Sequence, residues 1–321
     1  MEGKGMKSIY IHCPLLTDAD YLAVLTRLCP ESVRNITVYV YAEQVEPGQI
    51  KALVEVQKQF SEDRSVRFRN ILVLSRMPAF HRSLRRVLVK NNFLVHLQVT
   101  AGEAPQAAKT AAKLTKHGIH SKLWVDAPED QKRVYDTFAA LGLPVNLQRP
   151  RYTEDTPRWF DQWLHDPNAQ GINTFCDIIT MLTMDTYSPN CRYASCFGTT
   201  FRVDADLQVY LCPHHMDRRT HLGKLTDLEQ LLQCETVAQL LTEAIEKREH
   251  CAANCRCFAS CQGGCLLEEV RDSECAHYIA TVDRIRAALL DVYRSNDLGQ
   301  VNNVVKNAIL NALAFGTAFF N

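Results

Sequence analysis

Residues 8–42 read SIYIHCPLLTDADYLAVLTRLCPESVRNITVYVYA, and the pattern they set repeats through the first half of the chain. Residues 8–12 have the composition of a short buried strand. Thr17 stands where a helix N-cap belongs, ahead of a helix reaching Leu28 that Cys29-Pro30 stops. Residues 36–42 alternate as a second strand, and Pro47 opens a second helix that runs to Phe60. Further strands are expected at 66–74, 93–99, 119–125 and 145–148, each followed by a helix: 79–91, 104–117, 128–141 and 156–164. Gly118 and Gly142 close two of these helices, and Trp159 and Trp163 share one face of the last.

Six consecutive strand–helix pairs call for a parallel sheet wrapped by helices, either an open doubly wound sheet or an incomplete barrel. In both, ligands bind beyond the C-terminal ends of the strands. The loops expected there contain no glycine-rich phosphate loop and no nucleophile elbow. His12, His81, His96 and His120 are dispersed and read as structural or solvated. Arg82, Arg85, Arg86 and Lys90 recur at helical spacing and read as a solvated face.

The 321 residues are 46% hydrophobic, enough for one large domain or two unequal ones. Lys plus Arg and Asp plus Glu balance at 36 each, so no global charge points to nucleic acid or a membrane surface. The first residues lack the apolar core of a signal peptide, and a cytoplasmic location is expected. Of thirteen cysteines, ten lie between Cys191 and Cys275, which in a reducing compartment points to metal.

The order is Cys191-x4-Cys196-x15-Cys212, then Cys234, then Cys251-x3-Cys255-x5-Cys261-x3-Cys265, and Cys275 after nine more residues. Cys257 lies inside the second group. Eight thiols divide into two sets of four, the number that a [4Fe–4S] cluster or a tetrahedral zinc site takes. Residues 199–211 read as a hairpin turning at Asp204–Asp206, which would return Cys212 beside Cys196. Gly263 and Gly264 would let the backbone turn sharply between Cys261 and Cys265. A helix over 225–248, rich in Leu and Glu, is expected to join the two cysteine groups.

This segment resembles the SPASM domain, the C-terminal module of many radical SAM enzymes that mature peptides and proteins. The resemblance implies one auxiliary cluster on Cys191, Cys196, Cys212 and Cys265, and a distal cluster on Cys251, Cys255, Cys261 and Cys275. Leu222-Gly223-Lys224-Leu225 is similar to the family's glycine-containing step after the hairpin. The chain departs from the pattern in the x3 of Cys251-x3-Cys255, in Leu207 where the hairpin often has glycine, and in Cys257, which could replace Cys255. The implied fold is α/β: an incomplete (β/α)6 radical-SAM-like barrel over 1–170, a small cysteine-rich SPASM iron–sulfur domain over 190–280, and C-terminal helices over 281–321.

The barrel of that family carries Cys-x3-Cys-x2-Cys just after its first strand. Here Cys13 fills the first position, while Thr17 and Asp20 stand at the other two. The counterpart of the family's Gly-Gly-Glu-Pro is Gln44-Val45-Glu46-Pro47. One thiolate does not hold such a cluster, so the chain reads as a degenerate, pseudo-radical-SAM protein that does not bind SAM productively.

The resulting expectation is an accessory protein with two [4Fe–4S] clusters, partnering a radical SAM maturase, a precursor peptide or both, with no nucleic acid and no membrane. The alternatives are an independent enzyme using an auxiliary cluster and a zinc-stabilised binding scaffold. Val301, Val304, Val305, Ala308, Ile309, Ala312 and Leu313 fall at helical spacing. Such a tail helix packs on its own domain or docks in a partner's groove.

Overall fold

The computed structural model describes residues 8–62, 64–75, 80–126, 131–148, 150–184, 198–261, 263–265, 267 and 272–314. All six strand–helix pairs form in the expected order. They are β1 (Ser8–Pro14), α1 (Asp18–Leu28), β2 (Asn35–Ala42), α2 (Pro47–Ser61), β3 (Arg67–Leu74), α3 (Arg82–Lys90), β4 (Leu94–Val99), α4 (Ala104–Lys116), β5 (Ser121–Asp126), α5 (Gln131–Ala139), β6 (Asn146–Gln148) and α6 (Thr156–Leu164). There follow α7 (Asn173–Met184), β7 (Thr200–Val203), β8 (Gln208–Tyr210), β9 (His221–Lys224), α8 (Leu228–Leu232), α9 (Glu235–Asn254), α10 (Phe258–Cys261), α11 (Asp272–Ser295) and α12 (Asn303–Ala314).

The chain divides into two compact units. The first comprises the described residues of 1–98, 109–122 and 195–245, and the second those of 99–108, 123–194 and 246–321. In the first unit β1 to β4 run parallel, with Ile9 beside Ile36 and Val38 beside Asn70. β7 adds parallel to β1 on its other side, and β8 and β9 continue antiparallel. Side chains alternate across this sheet, so Ile9, Ile11 and Cys13 of β1 and Ile36, Val38 and Val40 of β2 are all fully buried. A buried polar knot ties the helices to the sheet. Gln57 Nε2 donates to Tyr21 Oη at 2.8 Å and to Asn70 Oδ1 at 2.7 Å, while Asn70 Nδ2 returns a bond to Gln57 Oε1 at 2.9 Å.

In the second unit β5 pairs parallel with β6, and α11 packs on α6 and α7. The two tryptophans read onto one face of α6 both face the core, where Trp159, Phe160 and Trp163 each meet Phe175 of α7 within 5.4 Å. The tail helix α12 lies against α7 with Val305 and Ile309 buried, so the tail packs on its own unit.

Three elements depart from the sequence reading. The single helix expected over 225–248 is two, because the Leu225 N–H is held by the Leu207 carbonyl of the hairpin and the Cys234 carbonyl starts a fresh turn. The second of these helices, α9, continues to Asn254 and so contains Cys251. Leu222-Gly223-Lys224, read as a glycine-containing step, is most of the strand β9.

The hairpin turn lies at Asp204–Asp206 as expected, and Asp204 Oδ1 accepts from the N–H groups of Asp206 and Gln208. Leu207 has φ +59°, the left-handed region where glycine is at ease and branched side chains are not. Leu207→Gly is expected to be tolerated, the relieved strain offsetting the lost contact. Leu207→Val should cost about 1–2 kcal/mol. Urea midpoints of the two variants check this, and equal losses would mean the turn relaxes.

Candidate metal centre

The first-strand loop is built for helix initiation. Thr17 Oγ1 accepts from the Asp20 N–H at 3.2 Å and donates to Asp20 Oδ2 at 2.7 Å, so the two residues cap α1 together. Cys13 lies within β1, on the face that also carries Ile9 and Ile11, and its thiol is fully buried. Burial pushes that thiol up to about 12, with Arg202 opposing. The second-strand loop is likewise committed to a helix start. Gln49 Oε1 accepts from the Glu46 N–H at 2.8 Å in a capping box, Pro47 opens α2, and the Val45 side chain is buried.

The opposite face of the same sheet is aromatic and cationic. His12 stacks on its register neighbour Tyr39 at 4.2 Å and 2°, and its Nδ1 is 3.0 Å from Tyr41 Oη. Arg202, the register neighbour on the other side, lays its guanidinium 3.8 Å from the Tyr41 ring centre. Burial first, and then His214, Arg202 and His96, hold His12 well below its ordinary value, so it is a neutral imidazole. His96 is lowered to about 3 by burial with Lys122 and Arg69 nearby. The dispersed histidines at 12 and 96 are thus brought near one another, with the Arg202 guanidinium close by.

In the second unit four of the expected cluster cysteines share a neighbourhood. Cys251 sits in the last turn of α9, and the Cys255 N–H donates to the Cys251 carbonyl at 2.8 Å. That bond continues the helical phase, so the x3 spacing places both residues on one side of the turn. Cys261 ends α10, and Cys275 stands in the first turn of α11. The Cys261 thiol is raised by burial, then by Cys255, Cys251 and Cys275, while the Gly263 backbone opposes. Cys275 is raised by burial and by Cys251 and Cys255. Four thiols that disfavour one another's ionisation are what a bound cation or cationic cluster core would relieve.

The turn after Cys261 is tight. Gly263 and Gly264 have φ +87° and +71°, and a Cβ on Gly263 would stand 3.8 Å from Cys251 Sγ. Among the described residues no three His, Cys, Asp or Glu side chains converge as a single-ion site requires.

Cys257 is fully buried, and its thiol is raised to about 11 by burial, then by Asp283 and Cys255, with Arg286 and Arg256 opposing. It therefore borders this set through Cys255. Of the other expected set, Cys191 and Cys196 lie outside the described residues. Cys212 is buried in the first unit, where its Sγ accepts from the His214 N–H at 3.4 Å. Cys265 is buried in the second unit, where its carbonyl accepts from Lys247. Among the described residues no helix is long and apolar enough to cross a membrane.

Comparison with described protein families finds no match, and neither does comparison with curated proteins. Solved structures do match over nearly the whole chain. "Native anSMEcpe with bound AdoMet and Cp18Cys peptide" superposes with a TM-score of 0.70 at 15% identity, covering 90% of this chain and 100% of that one. A tagged form of anSMEcpe with bound AdoMet gives 0.71 at 16%, covering 95% and 98%. At such identity the likeness is one of fold alone. The mixed α/β architecture, with its parallel sheet, surrounding helices and cysteine-rich C-terminal region, is the radical-SAM-like fold that this chain shares with anSMEcpe.

Proposed function

We propose that this chain is a non-radical iron–sulfur protein that works beside a radical SAM maturase in peptide maturation, holding the peptide or relaying electrons. The observation that carries the reading is the fate of the first-strand loop. At the two positions where the family has its second and third cysteines, Thr17 and Asp20 bind each other and cap α1. The remaining thiol, Cys13, is buried and held protonated.

The clustered cysteines fit iron–sulfur ligation by their chemistry. Cys251, Cys255, Cys261 and Cys275 would hold one [4Fe–4S] cluster, and Cys191, Cys196, Cys212 and Cys265 would hold another. When bound, such clusters supply one-electron carriers. The chain's own contribution would be four thiols close enough to act on one another and a tight turn at Gly263. The peptide role draws support from the shared fold with anSMEcpe, which is described with bound AdoMet and a peptide.

The test is direct. Reduced, reconstituted protein is expected to yield no 5′-deoxyadenosine from SAM, with or without peptide, and Cys13→Ala should leave the iron content unchanged. Production of 5′-deoxyadenosine that disappears in Cys13→Ala would restore Cys13 as a cluster ligand and sink the proposal.

A further inference from the structure

Residues 64–125 carry twelve Arg and Lys side chains and a single acid, Glu103, in a chain that balances at 36 of each sign. The rest of the chain therefore holds the matching excess of acids. The basic stretch is densest in α3, where Arg82, Arg85, Arg86 and Lys90 stand within nine residues and no acid does. Arg82, Arg86 and Lys90 recur every four residues and are exposed, while Arg85 is half-buried. Among the described residues none of the four forms an ion pair or a side-chain hydrogen bond.

This arrangement works against the helix. Like charges four residues apart repel, and Arg82 stands at the N-terminal end, where the helix dipole disfavours a cation. His81 makes no side-chain bond at the cap position, and the first turn has no acid. A surface that weakens its own helix is shaped by something outside that helix. Val89 is 43% exposed, and helical spacing flanks it with Arg85 and Arg86. An apolar centre ringed by arginine has the make-up of a protein contact. Phosphates of nucleic acid or lipid headgroups gain nothing from a valine. Among the described residues of the first unit, no large exposed apolar side chain is an aromatic that could stack on a base.

A complementary face lies on α9. Leu241 and Ile245 are 43% and 54% exposed and stand four residues apart, on one side of the helix. Glu235, and Glu246 beside Ile245, are exposed and form no ion pair among the described residues. Each face thus holds apolar side chains beside unpaired charges of one sign, and the signs are opposite. Neither face serves the other within one chain, since the charges of both stay unpaired.

We infer that two copies of this chain associate through these faces, α3 of one copy lying against α9 of the other. Val89 is then covered by Leu241 and Ile245, and the α3 cations meet Glu235 and Glu246. The contact uses none of the cysteines, so it goes beyond the cluster reading and does not depend on it. Made twice about a twofold axis it closes a dimer, and otherwise it extends to larger assemblies.

Sedimentation equilibrium of the full-length protein at micromolar concentration tests this. The molar mass is expected to exceed that of one chain at low salt and to fall as salt is added. Arg82→Glu/Arg86→Glu should weaken self-association at least about tenfold, with no loss in thermal unfolding, since an acid at 82 suits the helix N-terminus. Glu235→Lys/Glu246→Lys should weaken it likewise. An equimolar mixture of the two variants should associate again, because each then offers the charge that the other's faces lack. Val89→Lys keeps α3 cationic and should still weaken association. A monomeric wild type at low salt overturns the inference, as does a mixture of the two variants that stays monomeric. Binding of duplex DNA or phosphatidylserine vesicles that Val89→Lys strengthens, with the protein monomeric, would make α3 a polyanion face instead. Iron content of the same samples reports separately on the clusters, whose loss with association retained leaves this contact standing.

Discussion

Cys261→Ser is expected to lower the iron of the reconstituted protein from about eight to about four per chain, the content of one four-iron cluster. Cys261 is the right position to attack, since its thiol is the one on which Cys251, Cys255 and Cys275 all act. Cys275→Ser should give the same loss, and the Cys261→Ser/Cys275→Ser double variant no further loss, because both remove ligands from one cluster. Combining Cys261→Ser with Cys265→Ser should remove both clusters, if the resemblance to the SPASM pattern assigns Cys265 correctly. Cys257→Ser should keep its iron, because the resemblance to the SPASM pattern leaves Cys257 outside both ligand sets. Binding and folding are coupled at thiolate sites, so loss of the cluster should also loosen the segment from Cys251 to Cys275, read as faster proteolysis there. Loss of the same spectroscopic species in the Cys261 and Cys265 variants would break the crossed assignment. Stoichiometric zinc without sulfide would replace iron by the zinc alternative.

The second large effect concerns the tail. Truncation after Asp297 removes α12, and with it a joint centred on Asn302, which is 2% exposed. The Asn302 N–H donates to the Leu164 carbonyl at 2.8 Å, its Nδ2 donates to the Trp163 carbonyl at 2.6 Å, and its Oδ1 accepts from the Val305 N–H at 3.0 Å. Val305 and Ile309 are buried behind it. Each such side chain stabilises by roughly 1.5–3 kcal/mol when fully buried, and each hydrogen bond adds about 1 kcal/mol. Truncation should therefore cost on the order of 5 kcal/mol, a large share of the stability of an ordinary domain. Asn302→Ala alone should cost about 2–3 kcal/mol, since the buried Trp163 carbonyl and the Val305 N–H of the helix cap lose their partner while the backbone bond to Leu164 stays. Urea unfolding measures both. Unchanged stability after truncation would mean that α12 serves a partner through its exposed Leu310 and Leu313 instead.

The alternating strand–helix half was legible because every element announced itself locally. Thr17 and Pro47 mark helix starts, Cys29-Pro30 marks a stop, and β1 and β2 bury every second side chain. The hairpin was legible from its aspartates. What stayed hidden depended on partners distant in sequence. α7 carries apolar residues without a clear stripe, since it is covered by α6, α11 and α12. β9 exists because β8 pairs with it, and its own four residues include a glycine.

At the candidate centre, the clustering of cysteines was visible from spacing. The meaning of Cys251-x3-Cys255 was not, because an extra residue looks like a defect until α9 is seen to run through Cys251.

The joint capping of α1 by Thr17 and Asp20 has a consequence for anyone who would re-engineer this loop. A cap of this kind is worth about 1 kcal/mol, and replacing either residue by cysteine forfeits it before a second thiol is in place. Cysteines at 17 and 20 introduced one at a time would each weaken α1 with no metal bound in return, so the two changes belong together.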